Sequence, residues 1–521
     1  MKRKTFMWIG IALAAFAVAS LLSLYAYGRF AESARGPEGH ALPIAGEPTP
    51  IDRVVESLTA DRPGEAGLVI LSDNLDAFAI RASTARAAGR SLDLQYYIWH
   101  PDLTGNLLYN ELLRAADRGV RVRLLLDDMN VHGSHSVLAA LDTHPQIEVR
   151  LFNPTRAREG TLVRGAELLL RFFSVNRRMH NKTWLADGRI AVVGGRNVGD
   201  EYFDAAADVN FMDTDVAVVG PPVRQAEQIF DAYWNSVSAI PLEALVEAKP
   251  GALDRLRGSI DAGLQADRAG PYARRLQGSQ GVRELLEGRR RIHWTRDAAI
   301  VSDPPEKAEG ATPEPDWMTP LLLESASRVQ RDLKVISPYF VPGEDGVRWL
   351  DGLRRRGVEV SILTNSLAAN DVLAVHGGYA GYRAPLLESG VSLFELKPQG
   401  SGGGRASVFG SSGASLHTKA FVVDGAHGFI GSFNLDPRSM NLNTEMGLLF
   451  ECPDAAAELE ALYGMKTSAH TSYRLELADG GLRWHDDEAQ PPTVWDREPE
   501  AGFWSRAIAR AIGWLPVESQ L

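Results

Sequence analysis

The chain has 521 residues, enough for two or three average domains, and its 45% hydrophobic and 23% charged content excludes a disordered polypeptide. A formal net charge of -11, from 55 basic and 66 acidic side chains, speaks against nucleic acid as the main partner, because phosphate-backbone affinity needs clustered Lys and Arg. Cys452 is the only cysteine, which excludes an intramolecular disulfide framework and a Cys-rich zinc site.

At the N-terminus, Lys2, Arg3 and Lys4 precede an uncharged run from Phe6 to Tyr27. A bilayer-spanning helix takes about 20 apolar residues, so residues 1–28 read as a transmembrane anchor. A cleaved signal peptide is the competing reading, since Ala17-Val18-Ala19 before Ser20 has the form of a small-residue cleavage site. The apolar run continues through Leu21, Leu22 and Leu24, which favours the anchor. The positive-inside bias then leaves the three N-terminal charges in the cytoplasm and the remainder of the chain, joined by a single pass, on the far side.

Residues 29–64 read as a linker, Gly- and Pro-rich from Gly36 to Pro50. From there strand-like apolar runs alternate with amphipathic helices, the pattern of an α/β architecture. Within a first lobe at 65–240, Leu92–Trp99 reads as a strand, Leu107–Arg118 as a helix and Val120–Leu126 as a strand. Residues 241–298 read as a helical insertion dense in Arg, including Arg289, Arg290 and Arg291. That insertion is either a solvated surface or one that meets anionic lipid headgroups. A second lobe at 299–465 repeats the order: strand Leu333–Phe340, helix Val347–Arg356, strand Val358–Leu363. Pro304–Pro315 and Gln399–Ala414 are loops by composition. Residues 466–521 read as a hairpin followed by an amphipathic helix. In that helix Trp504, Ala507, Ile508, Ala511, Ile512 and Leu515 recur at helical spacing, to pack on the protein's own core or to lie in a membrane interface.

The chemistry sits in a duplicated motif. His180 to Asp187 read H-N-K-T-W-L-A-D, and His417 to Asp424 read H-T-K-A-F-V-V-D. The offset 417 − 180 = 237 also relates Lys419 to Lys182, Asp424 to Asp187, Gly431 to Gly194 and Asn434 to Asn197. In an extended strand, residues i and i+2 share a face, so each His projects beside its Lys. Asn197 and Asn434 follow Gly-containing turns that can bring their amides back to that face.

Two such sets facing each other match the demands of phosphodiester exchange. Lys182, Lys419, Asn197 and Asn434 are donors for the nonbridging phosphate oxygens, while one imidazole attacks phosphorus and the other protonates the leaving alkoxide. Neither half offers a cluster of Asp, Glu or His fit for magnesium or zinc, so no metal and no cofactor is expected. A nucleophilic imidazole needs its far nitrogen held by a carboxylate. Glu445 in N-T-E and Asp215 in D-T-D, each in an apolar strand downstream of a motif, are the candidates, with Asp213 as the alternative in the first half. Asp187 and Asp424 complete the motif and are carried with the catalytic set, although Asp before Gly188 or Gly425 is also ordinary turn chemistry.

These paired motifs resemble the phospholipase D superfamily over nearly the whole chain from about residue 65. More narrowly, H-N-K with Gly194–Phe203 (G-G-R-N-V-G-D-E-Y-F), Ser337–Pro342 (S-P-Y-F-V-P), Gly431–Ser439 (G-S-F-N-L-D-P-R-S) and the terminal L-P-V-E-S-Q-L are similar to bacterial cardiolipin synthases with a long C-terminal segment. The resemblance implies two pseudo-symmetric α/β/α lobes, each with a central mixed sheet flanked by helices, and one active site at the lobe interface. It implies a phosphohistidine on His180, with His417 as acid and base. It further implies phospholipid substrates at a bacterial inner membrane: phosphatidylglycerol, with phosphatidylethanolamine as a second candidate. Gly195 stands where the second half has Ser432, so any hydroxyl role there belongs to one half. A hydrolase releasing phosphatidic acid, a nucleic-acid phosphodiesterase and a silent lipid-binding scaffold are the rival readings.

Overall fold

The computed structural model describes residues 2–398 and 416–520, apart from residues 132, 159, 208, 266–268, 311, 314–315, 371, 479 and 516–517. The loop expected at Gln399–Ala414 therefore lies outside the described residues. Two mixed sheets form the two lobes. The first has nine strands in the spatial order Ala239–Pro241, Ile147–Phe152, Arg121–Asp127, Ser91–Tyr96, Thr183–Ala186, Ile190–Gly194, Asp215–Val219, Ala66–Leu71 and His293–Thr295. The second has ten, in the order Asp297–Ser302, Met446–Glu451, His427–Gly431, Lys419–Val423, Asp332–Ile336, Glu359–Asn365, Ser392–Leu396, Ser472–Ala478, Gly481–Asp486 and Thr493–Trp495.

The central motif recurs in both. A parallel pair (Ser91–Tyr96 with Arg121–Asp127, and Asp332–Ile336 with Glu359–Asn365) lies beside an antiparallel hairpin that carries the His-Lys sequence. Each hairpin turns through an Asp-Gly pair with both φ angles positive: 54° and 67° at Asp187 and Gly188, 54° and 62° at Asp424 and Gly425. This is the type I′ turn, whose twist matches that of the flanking strands.

A shared apolar core joins the lobes. Val193, Val216 and Phe230 of the first pack in one cluster with Ala420, Ile430 and Leu448 of the second. The helix Pro453–Lys466 reaches across to the strand Ala66–Leu71, and the helix Pro222–Trp234 reaches across to Asp297–Ser302. Burial of this seam fixes one lobe against the other and so fixes any site between them.

The boundaries differ from those expected in three places. Residues 29–64 are not a plain tether, because Pro50 opens a helix, Pro50–Thr59, whose N-cap Thr49 and Asp52 exchange hydrogen bonds and whose Ile51 and Val55 are buried. The insertion contributes His293–Thr295 to the first sheet, and its helices Ala252–Leu264 and Gln280–Leu286 pack on the first lobe. Arg289, Arg290 and Arg291 there pair with Glu287, Asp76 and Asp454, so they are not a free cationic surface. The C-terminal hairpin continues the second sheet by pairing Ser472–Arg474 with Phe394–Leu396.

Candidate active site

The two motifs meet at the seam, and each is completed by the other lobe. His180 N donates to Thr444 O at 2.9 Å, and His417 N donates to Met212 O at 2.9 Å. These bridges lay the residues before each strand of carboxylates against the opposite motif. In consequence His180 Nδ1 stands 2.8 Å from Glu445 Oε2, and His417 Nδ1 stands 2.5 Å from Asp213 Oδ2. An ionised carboxylate only accepts, so each Nδ1 carries a proton and each Nε2 is the nitrogen left for the cleft, to attack through its lone pair or, once protonated, to donate. Lys182 Nζ and Lys419 Nζ each donate to the carbonyl of their own histidine at 2.5 Å, which holds both ammonium groups beside the imidazoles.

Aromatic rings wall the cleft. Tyr97 meets His180 edge-on at 5.0 Å between centroids, while Phe211 stacks on His417 at 5.4 Å and Tyr202 meets it edge-on at 5.3 Å. The two carboxylates are held differently. Ser432 Oγ and Ser439 Oγ both donate to Glu445. Asp213 has no such hydroxyl, because a Cβ at Gly195 would lie 2.3 Å from its Oδ1. The Gly195–Ser432 difference is therefore a packing requirement on one side and a hydrogen bond on the other.

The electrostatics are correspondingly uneven. Burial, reinforced by Lys182, Lys419 and Arg438, holds the His180 imidazole well below its ordinary value. Burial and Lys419 bring His417 down to about 4, against the opposing pull of Asp213. Burial alone would raise the Asp213 carboxyl, but His417, Lys419 and Arg196 outweigh it and hold it low. Burial pushes Glu445 up to about 7, opposed by Lys182 and the two serines, and it pulls Lys182 down to about 7.

Asp215 is elsewhere. Its carboxylate takes Arg81 Nη2 at 2.8 Å, Arg196 N at 3.1 Å and Arg196 Nη1 at 3.4 Å. Strand register explains the correction: Gly194 pairs with Asp215 and Gly431 with Gly447, so the counterpart of Glu445 is Asp213. Matching the two T-[DE] strings by letters slipped the comparison by two residues, which stays on the same face but moves one step along the strand.

Asp187 and Asp424 are likewise remote from the imidazoles. Asp187 accepts from the backbone N–H groups of Gly89, Arg90 and Ser91, and Asp424 from those of Gln330, Arg331 and Asp332. Five residues of extended chain, roughly 16 Å, separate each from its Lys. Asn197 accepts from Ile98 N at 3.1 Å and donates to Tyr202 Oη at 2.9 Å, whereas the buried Oδ1 of Asn434 has no hydrogen-bond partner among the described residues. Sequence reasoning missed the serine pair on Glu445 and the aromatic walls. Ser439 lies in the quoted G-S-F-N-L-D-P-R-S string, but nothing in its spacing marks it as a partner of Glu445. His100, Asp102 and Glu201 also bring ligand atoms within 4.8 Å, a grouping outside this cleft. Asp102 is engaged as the cap of the helix Leu103–Asp117 and by Asp200 N.

Two pseudo-equivalent α/β lobes with a composite His-Lys cleft define a phospholipase D-type fold. A crystal structure of a phosphatidylserine synthase from Haemophilus influenzae Rd KW20 is similar in fold, with a TM-score of 0.55 at 13% identity over 90% of this chain and 100% of that one. The family profile "Cardiolipin synthase, PLD-like domain" matches residues 82–234 and 322–464. Cardiolipin synthase C of Escherichia coli (strain K12) is 42% identical over 88% of this chain and 97% of its own length. A cardiolipin synthase of Geobacillus kaustophilus is 26% identical over 75% of this chain and 64% of its own. The chain belongs to the cardiolipin synthase family of phospholipase D-type phosphatidyltransferases.

Proposed function

We propose that the protein makes cardiolipin by moving a phosphatidyl group from phosphatidylglycerol to a hydroxyl of a second phospholipid. The observation that carries this reading is the crossed pairing, in which each imidazole is oriented by a carboxylate of the opposite lobe within one cleft. His180 Nε2 attacks phosphorus and the bond to the headgroup glycerol breaks. That glycerol leaves with the proton of His417 Nε2–H. The acceptor hydroxyl then gives its proton to His417 as its oxygen attacks phosphorus, and the P–N bond to His180 breaks. Lys182, Lys419 and Asn434 stabilise the phosphate oxygens through both steps. His417 is the less depressed of the two imidazoles and has the ionised Asp213 behind it, which suits it to carry the proton. Asp187 and Asp424 serve this site by fixing the hairpins.

The surroundings suit a substrate that arrives in a bilayer. The helix Thr5–Ser33 is long and apolar enough to cross a membrane. It ends docked on the first lobe, where Arg171 covers the ring of Tyr27 and Arg156 that of Phe30. Beside that junction the helix Thr161–Leu170 and the following turn expose Leu162, Val163, Leu169, Phe172 and Phe173, the last at 81%. The C-terminal helix Phe503–Ile512 packs Ile508 and Ala509 on Leu367 and Leu373 but exposes Phe503 and Trp504, and beyond it Trp514 at 80% and Leu515. Gln520 meets Asn176, and Asn176 meets Arg438, which ties the C-terminal turn and the segment after Phe173 to each other and to the second motif. The reading is completed by a single pass through the inner membrane, with Lys2, Arg3 and Lys4 on the cytoplasmic side and the catalytic part on the periplasmic side by the positive-inside bias. Product analysis from vesicles of defined phospholipids tests the reading: labelled phosphatidylglycerol is expected to yield cardiolipin and glycerol. Phosphatidic acid without cardiolipin would identify a hydrolase.

A further inference from the structure

The two lobes share a fold but differ on the outer face of the sheet. In the first lobe the helices Asn74–Ala87 and Leu103–Asp117 close over that face. Trp184 is fully buried beneath them with its Nε1 on Thr84, and Trp99 stacks on Tyr109 at 4.8 Å. In the second lobe the corresponding first helix, Met318–Ser327, has 10 residues where its counterpart has 14. Phe421 stands at the place of Trp184, Phe433 at that of Arg196 and Phe340 at that of Trp99. The smaller side chains and the shorter helix leave a cleft between Met318–Ser327 and the helix Gly343–Arg355, with about 830 Å³ of empty space shared between the cleft and its open mouth. Leu323, Ala326, Trp349 and Leu350 form its walls and Phe421 and Leu435 its floor, and the Thr319 hydroxyl and the Trp349 indole N–H are the polar groups among its lining side chains.

One end of the cleft adjoins the catalytic segment in the chain. Phe433 and Leu435, which line it, are the chain neighbours of Asn434, and Met440, which also lines it, follows Arg438 by two residues. At that end Thr319 donates to Met440 O, and a Cβ on Gly343, beside the lining Pro342, would lie 3.6 Å from Glu518 Oε1 of the C-terminal turn. A phospholipid whose phosphodiester rises into the interlobe site must lift the first methylenes of its chains out of the bilayer. Each methylene left in water would lower the fraction of productive complexes about fourfold. An apolar cleft next to the segment that carries Asn434 would remove that cost.

We propose that this cleft holds an acyl chain of the phospholipid substrate while its phosphodiester occupies the site between the lobes, an inference that rests on the phosphatidyltransferase reading. The test is kcat/KM for glycerol release by the full-length protein in detergent, with dioleoyl and dihexanoyl phosphatidylglycerol as substrates. Glycerol release reports P–O cleavage whether a lipid or water accepts the phosphatidyl group. A wild-type enzyme that releases glycerol but forms no cardiolipin would thus fail the transferase reading without touching this comparison. Leu323→Glu, at a partly exposed wall position, and Ala326→Phe, which fills the cleft, are each expected to lower kcat/KM on the dioleoyl lipid by at least about tenfold and to leave the dihexanoyl lipid within about twofold. Equal effects on the two lipids, or none on the dioleoyl lipid, would overturn the proposal. A second readout is independent of turnover. Phosphatidylglycerol brominated along its chains is expected to quench a fluorescence component that disappears in Trp349→Phe. Quenching identical in wild type and Trp349→Phe would overturn the proposal.

Discussion

Replacing Asp213 by Asn tests the crossed arrangement most finely. Asp213 is fully buried, its Oδ2 stands 2.5 Å from His417 Nδ1, and Asn is isosteric with it, so the fold can accept the change. The new amide would direct its N–H groups or a neutral carbonyl at the ring. A charge-assisted hydrogen bond worth about 1.5–3 kcal/mol is lost, which is roughly 10- to 150-fold in rate. If the amide donates to Nδ1, the proton moves to the wrong nitrogen, and the loss approaches about 10⁴-fold, as triad systems show. Because His417 is assigned the proton transfer, the loss depends on the leaving group. A phosphatidyl p-nitrophenyl ester expels an anion that needs no proton, so the p-nitrophenolate burst should persist at near wild-type rate in Asp213→Asn, whereas glycerol release from phosphatidylglycerol should fall at least about tenfold. Glu445→Gln, which touches the nucleophile, should depress both reactions. Stopped-flow absorbance and radiolabelled glycerol release measure the two. Equal losses of burst and glycerol release in Asp213→Asn would refute the assignment of roles.

Further outcomes follow from the same geometry. Activity needs the Glu445 carboxylate, which is lost as pH falls through about 7, and the Lys182 ammonium, which is lost as pH rises through about 7. A pH series of kcat/KM should therefore be a narrow bell near 7, with limbs that belong to the coupled pair. The Ser432 hydrogen bond lowers the Glu445 value, so Ser432→Ala should move the acidic limb upward; an unmoved limb would separate that hydroxyl from catalysis. Asp215→Asn breaks a fully buried pair with Arg81 and should cost about 3–5 kcal/mol in denaturant titrations. Asp424→Ala should lower Tm yet leave kcat at 25 °C within about threefold, since the carboxylate serves three backbone N–H groups of the hairpin base. In a variant lacking residues 1–26, Phe172→Ser together with Phe173→Ser should sharply reduce co-sedimentation with phosphatidylglycerol vesicles, since each exposed Phe can contribute about 1.5–3 kcal/mol on burial.

The duplicated motif made most of the fold and the pairing of lobes readable from sequence, because a constant offset marks repeated structure and the i, i+2 spacing fixes which side chains share a strand face. The carboxylates were harder. Glu445 sits two residues before Gly447, and only the strand register shows that Asp213 occupies the matching place before Asp215. The crossing of Glu445 to His180 and of Asp213 to His417 depends on bridges between segments more than 200 residues apart in the chain. No local pattern encodes such contacts. Pro50 misled for a simpler reason: proline suits both a tether and the first turn of a helix, and the capping pair Thr49–Asp52 decides for the helix.

The most direct test of one active site built from two halves is to trap the covalent intermediate. Wild type and His417→Ala, mixed with the phosphatidyl p-nitrophenyl ester labelled in the phosphate, are quenched in alkali, where the P–N bond survives, and mapped by mass spectrometry. Label on His180 alone, at no more than one per chain, is the predicted result. Label on His417, or on both histidines of one chain, would contradict it.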